Sequence, residues 1–469
     1  MQAYVSLPRA VEAPASPSYV CHSVDALPDL LDLHRLHPQR YPHLLESVAH
    51  GTAQARYDIL FAFPEYTLTL DASGHIMREG KADAPTNYLQ ALDDEWQHAR
   101  LPSLAPTALP FTGGWFVYLG YELVTQIEPR LAGVAQDREL PVANLTRIPA
   151  AVIRDHHAQQ THLVCESGRH DVVLAEMKKD LMWVARAAHE DVQLAALVED
   201  NPEIFLEGVK RTLAYIRAGD VFQVNLSRGW RAVLARPLAP AALYDRLRRA
   251  NPAPFAGLMT FGRQQAIISS SPERLVEVKD GRVVTRPIAG TYPRSEDRKQ
   301  DERWSRDLLR HPKERAEHIM LIDLERNDLG RVCRTGTVAV EELMVLESYQ
   351  HVHHIVSGVS GKLRDGVTPG QVIGAVFPGG TITGCPKVRC MEIISELEGT
   401  ARGGYTGSMG YINRDGSMDL NILIRTIVQA GEQISLRAGA GIVADSRPRR
   451  ELQETRAKAK GMLRALGRG

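Results

Sequence analysis

Cysteine is scarce and scattered in this chain. Only five cysteines occur among 469 residues, and no two of them form a C-x-x-C pair. A disulfide framework needs an even, closely spaced set, and a structural zinc site needs clustered cysteines or histidines. The sequence therefore argues against both kinds of site and favours a reducing, cytoplasmic location.

The chain also lacks an excess of either charge and any long apolar run. Basic and acidic residues number 56 each, so the formal net charge is zero, which gives no reason to expect nucleic acid or an anionic membrane as a partner. No apolar run approaches the roughly 18 residues of a membrane span, and the first residues lack the basic head and apolar core of a signal peptide. With 44% apolar residues, the composition is that of an ordinary globular protein.

What is present is a mixture of strand and helix patterns. Alternating segments such as TLTLDASGHIM (67–77) and the hairpin-like AAVIRDHHAQQTHLVCES (150–167) predict strands. Helical spacing predicts helices at 172–197, 205–219, 304–329, 385–398 and 449–466. The mixture favours an α+β, layered α/β architecture over a nucleotide-binding βαβ series. We expect four segments: a frayed N-terminus (1–20), an N-terminal region (21–170), a helical connector (171–204) and a catalytic region (205–469).

Two glycine-rich segments lie near the C-terminus. FPGGTITGCPK (377–387) combines glycines with hydroxyls and a lysine, a composition that can bring backbone N–H groups close to an anion. Pro386 and Val388 break the order of a P-loop. RAGAGIVADS (437–446) is the second segment. Taken alone, each pattern is explained more simply as a tight turn.

Two pairs of glutamates lie three residues apart within predicted helices. Glu314 and Glu317 form one pair, and Glu451 and Glu454 form the other. Each pair would lie on one helix face, and two such faces across a pocket could supply oxygen ligands for Mg²⁺. The commoner reading of such pairs, beside lysines and arginines, is a solvated helix surface.

A glutamate and a histidine follow or lie within apolar strand patterns. Glu273 in SSSPERL could act as a general acid if burial raises its pKa, or could form a salt bridge with Arg274 or Arg286. His354 in HVHHIVS could be a hydrogen-bonded core residue or could orient a substrate oxygen.

Taken together, these segments resemble the chorismate-utilising enzymes. The resemblance covers more than half of the chain, from about Phe205 to the C-terminus, and its motifs occur in the family's order: SPERL, RPIAGT, KERAEHIMLIDLERNDLGRV, HVHHIVS, FPGGTITGCPKVRCMEII, GSMGY, ILIRT and RAGAGIVADS. The N-terminal segments LLES, RYDILFAFP and FTGGWFVYLGYE are also similar to the family. The resemblance implies a large two-lobed fold like that of anthranilate synthase component I, with β-sheets packed together and helices outside.

The resemblance also implies roles for individual residues. Glu317 and Glu454 match the family's Mg²⁺ ligands, with Glu314 and Glu451 beside them. Glu273 matches the general acid that protonates the departing C4 hydroxyl of chorismate, and His354 lies beside the reacting ring. The residues that match substrate contacts, or lie in the loop that lines the pocket, are Thr383, Lys387, Tyr405, Arg425, Gly439, Ala440 and Gly441.

Two positions bear on which reaction follows. Gln223 stands where water-adding members of the family carry a lysine base, so the chain resembles the ammonia users. Ala289 stands where many aminodeoxychorismate synthases carry a lysine nucleophile, and anthranilate synthases usually have alanine there. Three segments favour aminodeoxychorismate synthase instead. GDVFQVNLS and FPGGTITG resemble that enzyme, and NPAPFAGLM lacks the aromatic-rich N-P-S-P-Y-M-F pattern that helps to form the tryptophan feedback site of anthranilate synthases. We therefore predict amination of chorismate to 4-amino-4-deoxychorismate, with anthranilate formation as the alternative. LLES (44–47) resembles the inhibitor-binding element of anthranilate synthases.

The source of ammonia follows from the same resemblance. No cysteine lies in a G-x-C-x-G turn, so the chain shows no glutaminase of its own, and the family implies a separate glutamine amidotransferase subunit. A binding protein that has lost its chemistry is disfavoured, because Glu273, Glu317 and Glu454 are all present. A nucleotide-binding enzyme is disfavoured because no strand–glycine–helix fingerprint occurs.

Overall fold

The computed structural model describes residues 18–48, 56–82, 87–101, 109–137, 139–295, 297–348 and 352–468. The frayed segment predicted at 1–20 therefore lies outside the described residues except for its last three positions. Among the described helices, none combines the length and the apolar content that a membrane crossing requires.

The described residues form strands that run through most of the chain. They are β1 (Tyr19–Val24), β2 (His43–Glu46), β3 (Tyr57–Ala62), β4 (Thr67–Leu70), β5 (Ile76–Arg78), β6 (Lys81–Ala82), β7 (Gly114–Leu119), β8 (Ala143–Ile148), β9 (Ala150–Asp155), β10 (Gln160–Glu166), β11 (Leu194–Glu199), β12 (Gln223–Leu234), β13 (Phe255–Phe261), β14 (Gln265–Ser271), β15 (Arg274–Lys279), β16 (Arg282–Thr285), β17 (Ile288–Pro293), β18 (Ala339–Ser348), β19 (Val352–Lys362), β20 (Gly384–Cys385), β21 (Ser408–Asn413), β22 (Met418–Asn421), β23 (Thr426–Ala430) and β24 (Gln433–Ile442).

The α-helices are distributed between these strands. They are α1 (Leu30–Leu36), α2 (Tyr88–Ala99), α3 (Val124–Ile127), α4 (His170–Trp183), α5 (Pro202–Ala218), α6 (Pro240–Ala250), α7 (Arg298–Arg310), α8 (Pro312–Gly330), α9 (Pro369–Val376), α10 (Lys387–Glu398) and α11 (Pro448–Ala465).

The strands assemble into two large sheets, and each sheet takes strands from both ends of the chain. The first runs β1-β10-β9-β3-β2-β13-β14-β23-β24-β12-β11, with β20 beside β12, and the second runs β17-β19-β16-β15-β22-β21-β7-β8-β4-β5-β6, with β18 beside β19. The N-terminal strand β2 pairs with β13, and β7 pairs with β21. The regions 21–170 and 205–469 are thus joined by continuous backbone hydrogen bonding.

The two sheets face each other across a shared apolar core. Phe61 and Ile267 of the first sheet belong to the same buried cluster as Phe116 and Met409 of the second. Helices α1, α4, α6 and α11 cover the outer face of the first sheet, and α2, α8 and α9 cover that of the second. The layered fold with sheets packed together and helices outside is therefore confirmed.

The predicted helix at 172–197 is only half correct. Helix α4 ends at Trp183, and residues 194–199 form β11, which pairs antiparallel with β12 at the edge of the first sheet. The pairing of this Ala- and Leu-rich segment with a distant strand overrides its local helix propensity. By contrast, α5 ends as predicted at Gly219, whose φ of 82° is the left-handed conformation of a helix C-cap.

Candidate active site

Strand β24 carries glycines where several predicted site residues converge. A Cβ atom on Gly441 would lie 2.6 Å from Nε2 of Gln223 and 3.5 Å from Oε1 of Glu317. A Cβ atom on Gly439 would lie 2.7 Å from the hydroxyl of Tyr405. Glycine is required at these positions because the neighbouring side chains occupy the space that a methyl group would need. The structure thus brings Gln223, Glu317 and Tyr405 to one strand.

Ala440 lies between these glycines and points the other way. Its side chain is buried with Val209, Leu226 and Leu452 in a cluster behind the strand. Its side chain therefore does not face the glycine side of the strand, and a contact of its backbone with substrate stays a prediction.

Gln223 begins β12 and is 3% exposed. Its Oε1 atom has no hydrogen-bond partner among the described residues. Leaving a buried polar atom unpaired costs roughly 1–3 kcal/mol, so a site that retains one is suited to a polar ligand. The side chain is therefore an available hydrogen-bond acceptor inside the site.

Glu273 follows β14 and is 5% exposed, with Oε1 unpaired among the described residues. Burial raises the pKa of this carboxyl to about 7, although the Thr381 hydroxyl and the positive charges of Arg425 and Lys458 act to lower it. The group can therefore hold a proton near neutral pH and donate it, as a general acid must.

The alternative of a salt bridge for Glu273 is contradicted. The guanidinium of Arg274 donates two hydrogen bonds of 2.8 Å to Asp419. Arg286 pairs instead with Glu342 and Glu347. Both arginines are thus engaged elsewhere, so the Glu273 carboxyl stays in the site.

Arg425 offers a positive charge that no carboxylate among the described residues neutralises directly. The residue is half-buried, and its guanidinium makes no hydrogen bond or ion pair with another described residue, although Tyr405, Glu273 and Glu454 act on it electrostatically. Its φ of 53° is a left-handed conformation that a side chain rarely adopts and that often marks a functional site. A guanidinium of this kind can bind a carboxylate through two parallel hydrogen bonds.

His354 lies on β19 and is buried. Burial and the charge of Arg425 lower its pKa to about 4, while a hydrogen bond with the Gly290 backbone acts in the opposite direction. The ring is therefore neutral near pH 7. Ala289 precedes Gly290 on the neighbouring strand β17 and is also buried. Because an alanine side chain has no amine, this position offers no lysine nucleophile.

The four predicted metal ligands come from helices α8 and α11. On α8, Oε2 of Glu314 lies 3.0 Å from the position that a Cβ atom on Gly290 would take, and Glu317 approaches β24. On α11, Glu451 is buried, and Glu454 forms an ion pair of 2.7 Å with Lys458. Within the described residues, no three acidic, histidine or cysteine side chains come close enough to enclose a metal. Mg²⁺ commonly takes one or two carboxylates and completes its shell with water and substrate oxygens, so a Mg²⁺ site between these helices stays a prediction.

Two residues of the site escaped the sequence reasoning. Lys458 Nζ donates a hydrogen bond of 3.0 Å to the Gly439 carbonyl, and its charge lowers the pKa of Glu273. The hydroxyl of Thr381 is buried beside Glu273 and acts to lower the pKa of that carboxyl. The position of Lys458, four residues after Glu454 on one helix, was the available signal. Thr381 gave no signal beyond its place in the glycine-rich loop.

Two residues of that loop are engaged inside the protein. The hydroxyl of Thr383 donates to the Gly379 carbonyl at 2.9 Å. The ammonium of Lys387 forms an ion pair with Asp328. These contacts fix the loop, and a direct contact of either side chain with substrate stays a prediction.

A separate cavity of about 580 Å³ lies away from these residues. The segment LLES contributes Glu46 and Ser47 to its wall, and Phe255 of NPAPFAGLM lines the same space. None of the predicted site residues lines this cavity. LLES, which resembles an inhibitor-binding element, and NPAPFAGLM are therefore neighbours in space, apart from the candidate active site.

Comparison with known proteins identifies the family to which the chain belongs. A family model described as chorismate binding enzyme matches residues 47–464, nearly the whole chain. The chain belongs to the chorismate-binding enzyme family. It is therefore a chorismate-utilising enzyme, which sets aside the nucleotide-binding alternative.

Relatives within the family include anthranilate synthases and an aminodeoxychorismate synthase. Anthranilate synthase component 1 from Thermus thermophilus is 41% identical over 436 residues, which cover 90% of this chain and 91% of the relative. Aminodeoxychorismate synthase component 1 from Bacillus subtilis is 41% identical over 366 residues, which cover 76% and 77%. The crystal structure of anthranilate synthase component I from Streptococcus pneumoniae matches with a TM-score of 0.77 and 32% identity, over 88% of this chain and 93% of that one.

Proposed function

We propose that this chain is the chorismate-binding component of an aminodeoxychorismate synthase. It converts chorismate and ammonia into 4-amino-4-deoxychorismate and water, with Mg²⁺, in the route to para-aminobenzoate and folate. Ammonia comes from a separate glutamine amidotransferase subunit.

The observation that carries the use of ammonia is the environment of Gln223. Its unpaired Oε1 lies in a buried site beside the glycine strand β24. An amide cannot take a proton from water, whereas its carbonyl oxygen can accept a hydrogen bond from ammonia. This supports amination over the addition of water.

Other residues have roles that their surroundings support. The C4–oxygen bond of chorismate breaks as Glu273 donates its proton, so the hydroxyl leaves as water. Arg425, the Tyr405 hydroxyl and backbone N–H groups of Gly439 and Gly441 are placed to bind substrate carboxylates. Neutral His354 can hold a substrate oxygen by a hydrogen bond.

Glu317 and Glu454 would hold Mg²⁺, with Glu314 and Glu451 close by or acting through water. When bound, the metal supplies positive charge that neutralises the ring carboxylate of chorismate. Glu454 pairs with Lys458 in this structure and would have to exchange that partner to hold the metal.

Anthranilate formation is the second candidate, and Ala289 favours it together with the anthranilate synthases among the relatives. GDVFQVNLS, FPGGTITG and NPAPFAGLM favour aminodeoxychorismate synthase. Phe255 of NPAPFAGLM lines the same cavity as Glu46 and Ser47 of LLES. With no lysine at Ala289, ammonia would add directly or another nucleophile would serve.

Product identification tests the proposal. Purified protein is incubated with chorismate, MgCl₂ and an ammonium salt, and products are separated by chromatography with mass detection. A product that retains the enolpyruvyl group and yields 4-aminobenzoate with added lyase supports the proposal. Direct formation of 2-aminobenzoate and pyruvate would replace it with anthranilate synthase. Turnover with ammonium salts but not with glutamine alone is expected if ammonia comes from a separate subunit.

A further inference from the structure

A second buried amide lies on the same face of β12 as Gln223. Asn225 is two residues further along the strand, and side chains two residues apart in a strand point to the same face. Val224 and Leu226, on either side of Asn225, belong to apolar clusters behind the strand. Asn225 is 9% exposed and pairs in register with Gly441 of β24. Its amide therefore lies on the glycine side of the strand, with the candidate active site.

The hydrogen bonds of Asn225 fix the direction of its amide group. Nδ2 donates to the carbonyl of Thr381 at 3.2 Å, and the backbone N–H of Asn225 donates to the carbonyl of Thr383 at 2.9 Å. A carbonyl oxygen only accepts hydrogen bonds, so the NH₂ group must face Thr381 and the amide oxygen must face away from it. The loop 379–383 therefore holds this side chain in one orientation.

The amide oxygen of Asn225 points at the glycine strand and has no partner. Oδ1 lies 2.5 Å from the position that a Cβ atom on Gly439 would take, and the hydroxyl of Tyr405 lies 2.7 Å from the same position. Oδ1 is buried and accepts no hydrogen bond from another described residue. An unpaired buried acceptor is unfavourable in the free protein, so its retention indicates a ligand with a hydrogen-bond donor at this place.

Chorismate offers only one donor for such an acceptor. Its two carboxylates are ionised near neutral pH and can only accept hydrogen bonds, which leaves the C4 hydroxyl. The acid that would protonate this hydroxyl is close by, because the Thr381 hydroxyl is buried beside Glu273 and the Thr381 carbonyl holds Asn225. Ammonia is the other donor available, and Gln223, beside Gly441, offers it an acceptor of its own.

On the basis of the proposed function, we propose that Asn225 is a substrate-binding residue whose amide oxygen accepts a hydrogen bond from the C4 hydroxyl of chorismate. This bond turns a lone pair of the hydroxyl oxygen toward Glu273. As the C4–oxygen bond breaks, the oxygen takes the proton of Glu273 and leaves as water, and its own hydrogen stays bonded to Asn225. The oxygen becomes a stronger donor as it gains that proton, so the contact strengthens in the transition state.

The variant Asn225→Leu removes the acceptor and keeps nearly the shape of the side chain. Binding is measured by calorimetric titration with MgCl₂ and without ammonia, using chorismate and isochorismate, an isomer whose hydroxyl is on C2 instead of C4. Chorismate should bind about 10- to 100-fold more weakly to the variant than to the wild type, because its hydroxyl loses its partner in a buried site. Isochorismate has no C4 hydroxyl, so it should bind to both proteins with the same affinity. In ammonium-dependent assays, kcat/KM for chorismate should fall by at least the same factor.

Asn144 is the matched control, because it is a buried asparagine whose amide oxygen and NH₂ group both have partners. It is 5% exposed on β8, its Nδ2 donates to the hydroxyl of Thr69 at 3.0 Å, and its Oδ1 accepts from the hydroxyl of Thr146 at 2.9 Å. Asn144→Leu breaks both bonds outside the site, so it should lower the thermal unfolding temperature and leave chorismate affinity unchanged. Asn225→Leu loses one side-chain bond together with an unpaired acceptor, so it should unfold at a higher temperature than Asn144→Leu.

Two results would overturn the proposal. Equal weakening of chorismate and isochorismate binding in Asn225→Leu would mean that the residue only supports the site. Unchanged chorismate affinity would also overturn it, and a raised KM for ammonium in the same variant would assign the amide oxygen to ammonia. If Asn225→Leu fails to fold, Asn225→Val, whose β-branched side chain suits a strand, replaces it in the same measurements. The binding test does not depend on the product, so a selective loss of chorismate affinity in a protein that forms 2-aminobenzoate would refute only the proposed function.

Discussion

Replacing Glu273 with glutamine should lower kcat and should raise the free energy of unfolding at alkaline pH. One variant therefore tests both effects of this buried carboxyl. Burial raises the pKa of this carboxyl from the 4.5 of a free glutamate to about 7. Glutamine has nearly the same shape but cannot donate an acidic proton. Loss of a general acid typically lowers kcat by about a hundred-fold or more, with little effect on substrate binding.

The stability effect has a definite sign. The folded protein binds this proton more tightly than the unfolded chain does, so its stability falls as pH rises from 4.5 to about 7. The difference between those two pKa values corresponds to about 3 kcal/mol of folding stability. The wild type loses this contribution once the pH is above the pKa of the folded protein. Glu273→Gln carries no ionisable group there. It should therefore exceed the wild type in stability at pH 8.5 by up to about 3 kcal/mol and by little at pH 5.

The assay combines ammonium-dependent kinetics between pH 6 and 9 with urea unfolding at pH 5 and 8.5. Wild-type kcat should fall above pH 7 as the acid form is lost. Glu277→Gln, four residues along and paired with Arg274 outside the site, is the matched control and should stay within a few-fold of wild-type kcat. Wild-type kcat in Glu273→Gln would remove this residue from the chemistry. Equal stability of variant and wild type at both pH values would refute the buried-acid reasoning.

Three further changes test other parts of the site. Glu454→Gln should abolish Mg²⁺-dependent turnover with an unchanged circular dichroism spectrum, and an unaltered Mg²⁺ titration would exclude Glu454 as a ligand. Arg425→Lys keeps the charge but loses the two-pronged contact, so KM for chorismate should rise about 10- to 100-fold in steady-state assays, as expected for a lost charged hydrogen bond; an unchanged KM would contradict the contact. Gly441→Ala places a methyl group 2.6 Å from Nε2 of Gln223 and should lower activity strongly. The control Gly330→Ala adds a methyl group in open space and should keep wild-type activity. Equal activities of the two variants would mean that the site tolerates a methyl group at Gly441.

The local elements were predictable because their signals are local. The spacing of apolar residues marked α5, and the turn residues marked the hairpin of β9 and β10. The strand order was not predictable in the same way, because β2 pairs with β13 more than 200 residues away. The pairing of β11 with β12 explains the overlong helix prediction for the same reason.

The candidate site was likewise predictable only in part from the sequence. Motifs identified the residue types, but burial and pairing decide what each group can do. Sequence left open whether Glu273 is a salt-bridge partner or an acid, and the partners of Arg274 and Arg286 decide against the salt bridge.

The polar groups of the site share a property that argues for a polar ligand. Oε1 of Gln223 and Oε1 of Glu273 are both buried and unpaired among the described residues. The Arg425 guanidinium, close enough to Glu273 to act on it electrostatically, also has no direct partner there. Each such group costs roughly 1–3 kcal/mol in the free protein, so together they lower stability considerably. Unpaired buried groups of this kind are retained where function needs them. Chorismate carries both carboxylates and a hydroxyl, so it can pair with Gln223, Glu273 and Arg425 together.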